Sequence, residues 1–257
     1  MIKIKTKEDI AILREGGKRH AEIMNKLISI VRPGLKTSEI DEAVRKMIGE
    51  KGDKASILDY KPHGATRPYP ATICVSINDE VVHGIPNENP RTLEEGDIVG
   101  LDFALTHKGL ITDMAVTVPV GKISKELEDL LSGTREAMMA GIKTAKGGNK
   151  VGDISAAIEL IGISKGYGVV EDLAGHGVGY HVHEEPFVPN YGEPGKGEVL
   201  KPGTVIAIEP MFNLGSHYVV FDKKDGYTYR TKDGKPSAHF EHTVLITKGD
   251  AEILTLV

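Results

Sequence analysis

The N-terminal part of the chain carries hydrophobic positions at helical spacing, interrupted once by polar residues. The apolar residues of the first stretch recur at roughly one per helical turn: Ile10, Leu13, Ile23, Leu27 and Ile30. Thr6 and Asp9 resemble a capping box at the start of this helix, and the sequence RPG at 32–34 ends it. A second apolar face begins near Ser38 and ends at the sequence GEKGD. The pattern therefore predicts two consecutive helices.

Alternation of apolar and polar residues then predicts a β-hairpin in the stretch GLDFALTHKGLITDMAV, residues 100–116. A turn centred between His107 and Lys108 would place Asp102 directly opposite Asp113 and would leave His107 in solvent. The core-facing side would consist of Leu101, Phe103, Leu105, Leu110, Met114 and Val116. Two opposed carboxylates repel each other unless they share a proton or a cation. A solvated edge hairpin with loosely placed acids is the alternative that this stretch alone leaves open.

The same order of elements returns later in the chain. The stretch VRPGLKTSEIDEAVRKMIGEKG, from Val31, aligns without gaps with AKGGNKVGDISAAIELIGISKG, from Ala145. Two strand patterns align as well, LEEGDIVGLD with LKPGTVIAIE and TDMAVTVPVG with FEHTVLITKG. These alignments place Asp102 on Glu209 and Asp113 on Glu241, and VHGIP with VHEEP places His83 on His183.

We therefore expect one α+β domain over residues 1–257, built by internal duplication from halves at roughly 1–121 and 122–257. Each half would contribute helices followed by antiparallel strands, two carboxylates in apolar strands and one histidine before a proline. If the halves pack around a pseudo-twofold axis, Asp102, Asp113, Glu209 and Glu241 converge.

Composition narrows the functional classes without choosing one. A net charge of −5 gives no electrostatic argument for nucleic acid or a membrane surface. The single cysteine, Cys74, cannot form an internal disulfide, which fits a reducing compartment. The N-terminus lacks the apolar core of a signal peptide, and no run of about 18 apolar residues predicts a membrane span. A soluble cytoplasmic protein is the expectation.

Converging acids need counter-charges, because burying several carboxylates without partners costs more than folding can supply. Two divalent cations would balance four carboxylates. His176, flanked by glycines in the sequence AGHGVG, is a candidate to complete such a site, although a flexible loop is the plainer interpretation. Neither a phosphate-binding loop motif nor an HExxH zinc motif is present. Oxygen ligands with one imidazole suit Mn, Fe(II), Co or Zn, and two such metals favour amide hydrolysis.

Five motifs in this order resemble those of the methionine aminopeptidases: SINDEVVHGIP, DFALTHKGLITDMA, GHGVGYHVHEEP, AIEPM and EHT. The resemblance covers nearly the whole chain and implies the duplicated pita-bread fold. It also implies two divalent metal ions, with Asp102, Asp113, His176, Glu209 and Glu241 as ligands. Asp102 would bind one metal, Asp113 and Glu241 would bridge both, and His176 and Glu209 would complete the second.

The resemblance further implies a reaction and its catalytic residues. The family removes the initiator methionine from nascent proteins when the second residue is small, through a metal-bridged hydroxide that attacks the peptide carbonyl. Glu209 would act as general base, and His83 and His183 would lie near the scissile amide without binding metal. Tyr69, Cys74 and Tyr227 resemble parts of the methionine pocket by position, although such residues are also ordinary core packing.

The interval of 33 residues between His176 and Glu209 is too short for the helical insertion of the second family type, so the chain resembles type I. Arg67 stands where the family often has histidine, Val82 where it often has cysteine and Tyr180 where it often has arginine. The loop 59–70 is therefore unusual. His63, in this loop, is expected to be an ordinary loop residue, with the cavity entrance as the alternative.

The remaining histidines and partners complete the expectations. His217, His239 and His242 are expected at the surface or beside the site rather than as ligands. The partner would be the N-terminal methionine of nascent chains, with transient contact to the ribosome, no nucleic acid, no membrane and a monomeric state. The alternatives are a prolidase or Xaa-Pro aminopeptidase on the same fold, and a metal-free binding protein of this fold.

Overall fold

The computed structural model describes residues 1–62 and 64–256 of the chain. Over these residues the helices are α1 (Lys7–Ile30), α2 (Thr37–Glu50), α3 (Lys125–Thr144) and α4 (Val151–Lys165). Among the described helices, none is both long enough and apolar enough to cross a membrane.

The strands follow one another as β1 (Lys54–Ala55), β2 (Cys74–Ile77), β3 (Glu80–Val82), β4 (Ile98–His107), β5 (Leu110–Pro119), β6 (Gly168–Val169), β7 (Ala174–Gly177), β8 (Glu184–Pro189), β9 (Val205–Ile208), β10 (Met211–Asn213), β11 (Val219–Phe221), β12 (Tyr229–Thr231), β13 (Ser237–His239), β14 (Glu241–Leu245) and β15 (Glu252–Ile253). The largest sheet has the order β1-β4-β5-β14-β9-β7-β8, with β2 added on β4 and β15 on β14. Two smaller sheets have the orders β13-β10-β6 and β11-β12-β3. The helices and antiparallel strands confirm the α+β class.

Helix α1 begins where the sequence predicts. The hydroxyl of Thr6 accepts a hydrogen bond from Asp9 N at 3.1 Å, and the Asp9 carboxylate accepts one from Thr6 N at 2.9 Å. This capping box satisfies backbone donors that a helix leaves unpaired at its N-terminus. The apolar stripes of α1 and α2 are buried against one side of β2, β4 and β5, including Leu101, Phe103 and Leu105.

The second helix pair repeats this arrangement on the other half of the sheet. Residues of α3 and α4 form a core with β9 and β14. The aligned glycines make the same contact, since Gly34 N donates to Leu93 O at 2.8 Å and Gly148 N to Leu200 O at 2.9 Å. In the sheet, β5 and β14 lie at the centre, flanked by β4 and β9 and then by β2 and β7. These matched contacts support the proposed duplication, whose boundary near residue 121 stays a prediction.

The register of the β4-β5 hairpin differs from the predicted one by two residues. Asp102 pairs with Ala115, and Asp113 pairs with Ala104, so the two carboxylates are not directly opposed. The loop consists of Lys108 and Gly109, which both have positive φ, the conformation that a two-residue hairpin turn requires. A shift of two residues leaves every side chain on its predicted face, because side chains alternate with a period of two.

The same shift explains why the prediction for His107 was wrong. His107 is the last residue of β4 and pairs with Leu110 instead of lying in the turn. Its side chain is on the face covered by α1, is 5% exposed, and lies with Nδ1 2.7 Å from Asp53 Oδ1. The residue is therefore part of the helix-covered core and not of the solvated turn.

Candidate active site

The central strands of the large sheet each deliver one carboxylate to the face opposite the helices. Asp102 lies in β4, Asp113 in β5 and Glu241 at the start of β14. Glu209 follows β9 directly, one position past Ile208, which pairs with His242. The small Ala115, which pairs with both Asp102 and Glu241, leaves room between these acids. The predicted acids therefore meet on one surface, and all of them line one cavity.

His176, in β7, joins this group. Potential ligand atoms of Asp113, His176 and Glu241 all lie within 4.8 Å of one another. His176 Nε2 is 3.3 Å from Glu209 Oε1 and 4.0 Å from Asp113 Oδ2. His176 Nδ1 lies 3.0 Å from the carbonyl oxygen of Gly177, which can only accept a hydrogen bond. The neutral ring is thereby fixed with its proton on Nδ1 and its Nε2 lone pair facing the carboxylates.

The electrostatics of the cluster are those of a cation site. Burial, with the neighbouring acids, raises the pKa of Asp102, Glu209 and Glu241 well above the usual carboxyl range. Burial also raises the pKa of Asp113 to about 7. Oε1 of Glu241 is buried and has no hydrogen-bond partner among the described residues. Carboxylate oxygens with one imidazole nitrogen suit divalent metals, so the residues present fit such ions.

The other two predicted histidines border the cluster. The rings of His176 and His183 lie with centroids 4.5 Å apart, and the hydroxyl of Tyr60 is 3.2 Å from His183 Nδ1. His83 follows β3 and has φ +61°, a left-handed conformation that costs energy in a residue with a side chain. Burial lowers the pKa of His83 to about 4 and also lowers the pKa of His183. Both imidazoles are therefore neutral near pH 7.

The predicted pocket residues form one apolar cluster beside the acids. Tyr69, Cys74 and Tyr227 pack together with Ala71 and Ile85, and the two tyrosine rings meet edge to face at 5.0 Å. Cys74 is the direct cross-strand partner of Asp102, which brings this cluster next to the carboxylates. Burial raises the pKa of the Cys74 thiol, so it remains uncharged. The three residues line the same cavity as the acids and histidines. The volume of this cavity is about 620 Å³.

Two residues outside the predicted site also line this cavity: His239, which the sequence placed at the surface or beside the site, and Tyr60, which it did not single out. His239 is 4% exposed and lies beside the site, with Nε2 3.4 Å from Glu209 Oε2. Its position two residues before Glu241 was the available signal, because alternate residues of an extended chain face the same side. Tyr60 lines the cavity from the unusual loop and had no signal in the repeat. His217 is partly exposed, and His242 is bonded to Thr255 on the opposite face of β14 from Glu241.

The unusual loop is fixed to its surroundings by Arg67. Its guanidinium pairs with Glu88 and donates to Asp225 O at 2.8 Å, while the Tyr227 hydroxyl donates to Arg67 O. Among the described residues, Arg67 does not line the cavity. His63 lies outside the described residues.

Comparison with known proteins places this geometry in a family. Residues 11–248 match metallopeptidase family M24. A methionine aminopeptidase of Aquifex aeolicus is 42% identical over 258 residues, covering 99% of this chain and 98% of the relative. The crystal structure of methionine aminopeptidase from Thermotoga maritima superposes with a TM-score of 0.94 at 40% identity, with each chain covered completely. A prolidase from Pyrococcus furiosus shares the fold at a TM-score of 0.75 and 24% identity, with 99% of this chain and 65% of the prolidase covered.

The sheet with its converging carboxylates and imidazole defines a metal-dependent peptidase of the pita-bread fold. The chain belongs to metallopeptidase family M24 and, within it, to the methionine aminopeptidases.

Proposed function

We propose that this protein removes the N-terminal methionine from polypeptides whose second residue is small. The observation that carries the proposal is the shared cavity. One carboxylate from each of β4, β5 and β14, with Glu209 after β9, lies beside the buried apolar cluster of Tyr69, Cys74 and Tyr227. A pocket of this kind accepts an unbranched apolar side chain beside the metal-binding groups.

We propose that the site holds two divalent metal ions. Asp102 would bind one, Asp113 and Glu241 would bridge both, and His176 with Glu209 would complete the second. Two observations support this assignment. Oε1 of Glu241 is buried without a hydrogen-bond partner among the described residues, and the Nε2 lone pair of His176 faces the carboxylates. When bound, such ions supply a water of lowered pKa and polarise the scissile carbonyl.

The protein groups would divide the remaining work. Glu209 would accept the proton of the attacking water, since its carboxylate lines the cavity beside the other acids. His83 and His183, which are neutral, would donate hydrogen bonds to the carbonyl oxygen and hold the scissile amide. For His183, a hydrogen bond from Tyr60 to Nδ1 would leave the donor proton on Nε2.

The first test uses protein that has been stripped of metal with a chelator. The peptide Met-Ala-Ser is offered with Mn, Fe(II), Co or Zn added back, and Met-Leu-Ser and Leu-Ala-Ser serve as matched controls. We expect free methionine from Met-Ala-Ser only after metal addition, with little release from either control. The order of the metals then indicates the cofactor.

Two other results would indicate a different function for this protein. Metal binding without methionine release, together with cleavage of X-Pro peptides, would identify an Xaa-Pro peptidase. An absence of metal binding would contradict the metal site and favour a binding protein of this fold.

The setting of this activity is also a proposal. Nascent chains with exposed N-terminal methionine would be met in the cytoplasm, through transient contact with the ribosome, by a monomeric enzyme. Co-sedimentation with ribosomes tests the ribosome contact, and light scattering of the isolated protein tests the monomeric state.

A further inference from the structure

A buried ion pair fastens the loop that carries His183 to the N-terminal segment of the chain. Lys5 Nζ lies 2.6 Å from Glu184 Oε2, and the two side chains are 1% and 4% exposed. Glu184 directly follows His183 and begins β8, whereas Lys5 precedes α1. The contact therefore joins residues 179 positions apart, at the edge of the cavity that Glu184 also lines.

The second carboxylate oxygen of Glu184 organises the loop itself. Glu184 Oε1 accepts hydrogen bonds from Tyr180 N at 2.6 Å and from His181 N at 2.9 Å. These backbone donors belong to the loop between β7 and β8, which ends at His183. One carboxylate thus closes the loop with one oxygen and receives the Lys5 ammonium with the other.

The packing around Lys5 is specific to this contact. Gly179 has φ +137°, and a Cβ added there would lie 2.3 Å from Lys5 Cε, so the lysine stem occupies the space of a missing side chain. Lys5 Nζ also lies 4.4 Å from the centroid of the Tyr180 ring, within cation–π range. The Tyr180 hydroxyl donates to Asp9 Oδ2 at 2.5 Å, and Lys5 N donates to Gly203 O at 2.8 Å.

Each partner of a buried ion pair depends on the other, because the charge that remains after one is removed is left without water or counter-charge. If Lys5 were neutral, Glu184 would move towards solvent or lose its hold on Tyr180 N and His181 N. His183, the adjacent residue, would then shift within the cavity. Displacements of about 1 Å in a catalytic group cost roughly 100-fold in rate.

We propose that Lys5 and Glu184 are positioning residues for His183, so that the N-terminal segment sets the geometry of a catalytic histidine. The proposal rests on the proposed aminopeptidase function and on the role assigned there to His183. It predicts that the ion pair affects the chemical step and not the capture of methionine, since Tyr69, Cys74 and Tyr227 lie in a separate cluster.

The test compares Lys5→Met with Lys3→Met in the metal-loaded full chain. Lys3 is exposed and lies near the same ring, with Nζ 5.5 Å from the Tyr180 centroid, so it is a matched control. We expect Lys5→Met to lower kcat on Met-Ala-Ser by at least about 10-fold, with KM changed less than about 3-fold and metal content unchanged. Lys3→Met should behave as the unmodified protein.

A double-mutant cycle with His183 separates positioning from general stability. In the His183→Ala background, Lys5→Met should lower kcat no further, because the group it positions is gone. A lower melting temperature with unchanged kcat, or a full loss of kcat on top of His183→Ala, would overturn the proposal.

If Lys5→Met does not fold, Glu184→Gln replaces it in the same cycle, since the amide keeps an oxygen for Tyr180 N and His181 N but loses the charge that pairs with Lys5. We then expect a decrease in kcat of about 3-fold that disappears in the His183→Ala background, and an unchanged kcat would overturn the proposal. Absence of methionine release by the unmodified protein would instead refute the proposed function, which keeps the two failures distinct.

Discussion

Glu209 lies between two imidazoles, with Oε1 3.3 Å from His176 Nε2 and Oε2 3.4 Å from His239 Nε2. Burial and the charges of Asp113 and Asp102 raise its pKa well above the usual range. Since His176 and His239 are themselves neutral, their pKa values being lowered by burial to about 3, they offer it no positive charge. Without a cation, this carboxyl group therefore holds its proton, and a bound divalent ion would have to displace that proton.

Replacement of Glu209 by Gln should separate its proposed roles as proton acceptor and metal ligand. The amide keeps the volume and one oxygen ligand but cannot accept the proton, so kcat on Met-Ala-Ser should fall by at least about 100-fold with at least partial metal binding retained. Metal content is measured beside kcat, and Glu185→Gln, at the exposed rim, serves as control. An unchanged kcat would remove Glu209 from the mechanism.

His20 shows a second consequence of burial, on the helix-covered side of the sheet. Its ring is fully buried, stacks at 4.2 Å on Phe103, and lies with Nδ1 3.1 Å from the Thr112 hydroxyl. Burial, followed by the nearby His242, lowers the pKa of His20 to about 3. The unfolded chain, with an ordinary histidine pKa near 6.5, therefore binds this proton first as the pH falls.

The stabilising contribution of neutral His20 is thus complete above about pH 6.5 and decreases as the pH falls towards 3. As the pH falls below 6.5, the free energy of unfolding should decrease less steeply for His20→Met than for the unmodified protein. The two slopes should differ by up to about 1.4 kcal/mol per pH unit. Denaturant titrations between pH 4.5 and 8 measure this slope. Thr112→Val, which removes the hydrogen bond but keeps the ring, should lower stability at every pH without changing the slope; equal slopes for all three proteins would contradict the assignment.

At the scale of elements, threonines extend the short contact between β5 and β14. The backbone pairing of these strands joins Glu241 with Ala115 and His242 with Met114. Beyond it, the Thr243 hydroxyl accepts from Asp113 N and donates to Asp113 O, each at 2.7 Å. At the other end, the Thr117 hydroxyl makes the same pair of bonds with His239 N and O at 2.9 Å. These hydroxyls hold the backbones of Asp113 and His239 where the strands separate.

Thr243→Val should therefore affect both stability and the metal site. Two buried backbone groups of Asp113 lose their partners, which should lower the free energy of unfolding by about 2 kcal/mol or more. Loss of this support should also weaken metal binding by roughly 10-fold or more. Thr247→Val, at the exposed end of the same region, is the matched control. Unchanged metal affinity in Thr243→Val would show that the carboxylate is positioned by its side-chain contacts alone.

At the scale of the whole molecule, the acidic cluster crosses the boundary between the proposed halves. Asp102 and Asp113 come from the first half, and His176, Glu209 and Glu241 from the second, so folding of the metal-free protein buries carboxyl groups from both halves in one cluster. Cations that bind here displace protons from the carboxyl groups and stabilise the folded chain relative to the unfolded one.

Addition of Mn²⁺ to the metal-free protein should raise its melting temperature. At about 100 times the dissociation constant the gain is about 2.7 kcal/mol, which corresponds to roughly 5–10 °C for a chain of this size. Glu241→Gln should reduce this shift while leaving the metal-free protein at least as stable, because it removes one of the buried carboxyl groups whose ionisation is unfavourable. A melting temperature that does not respond to bound metal would contradict the cation site.

Local rules explain which predictions were confirmed. The capping box of Thr6 and Asp9 and the faces of the β4-β5 hairpin depend on residues within a few positions, and both were correct. The pairing of Asp102 with Asp113 was wrong because neighbouring turn positions preserve the same faces. The observed register differs from the predicted one in its turn, which lies at Lys108 and Gly109, where both residues have positive φ. The prediction that His107 lies in the solvated turn was wrong for the same reason.

The sequence by itself determined the first two helices, the β4-β5 hairpin, the duplicated order of helices and strands and the acids that the strands carry, because periodicity and apolar context are written in consecutive residues. Only the tertiary structure decided which side chains meet. His239 beside Glu209, Tyr60 against His183 and Lys5 against Glu184 join segments that are distant in the chain. Such contacts depend on the relative placement of whole strands and loops, which no local pattern specifies.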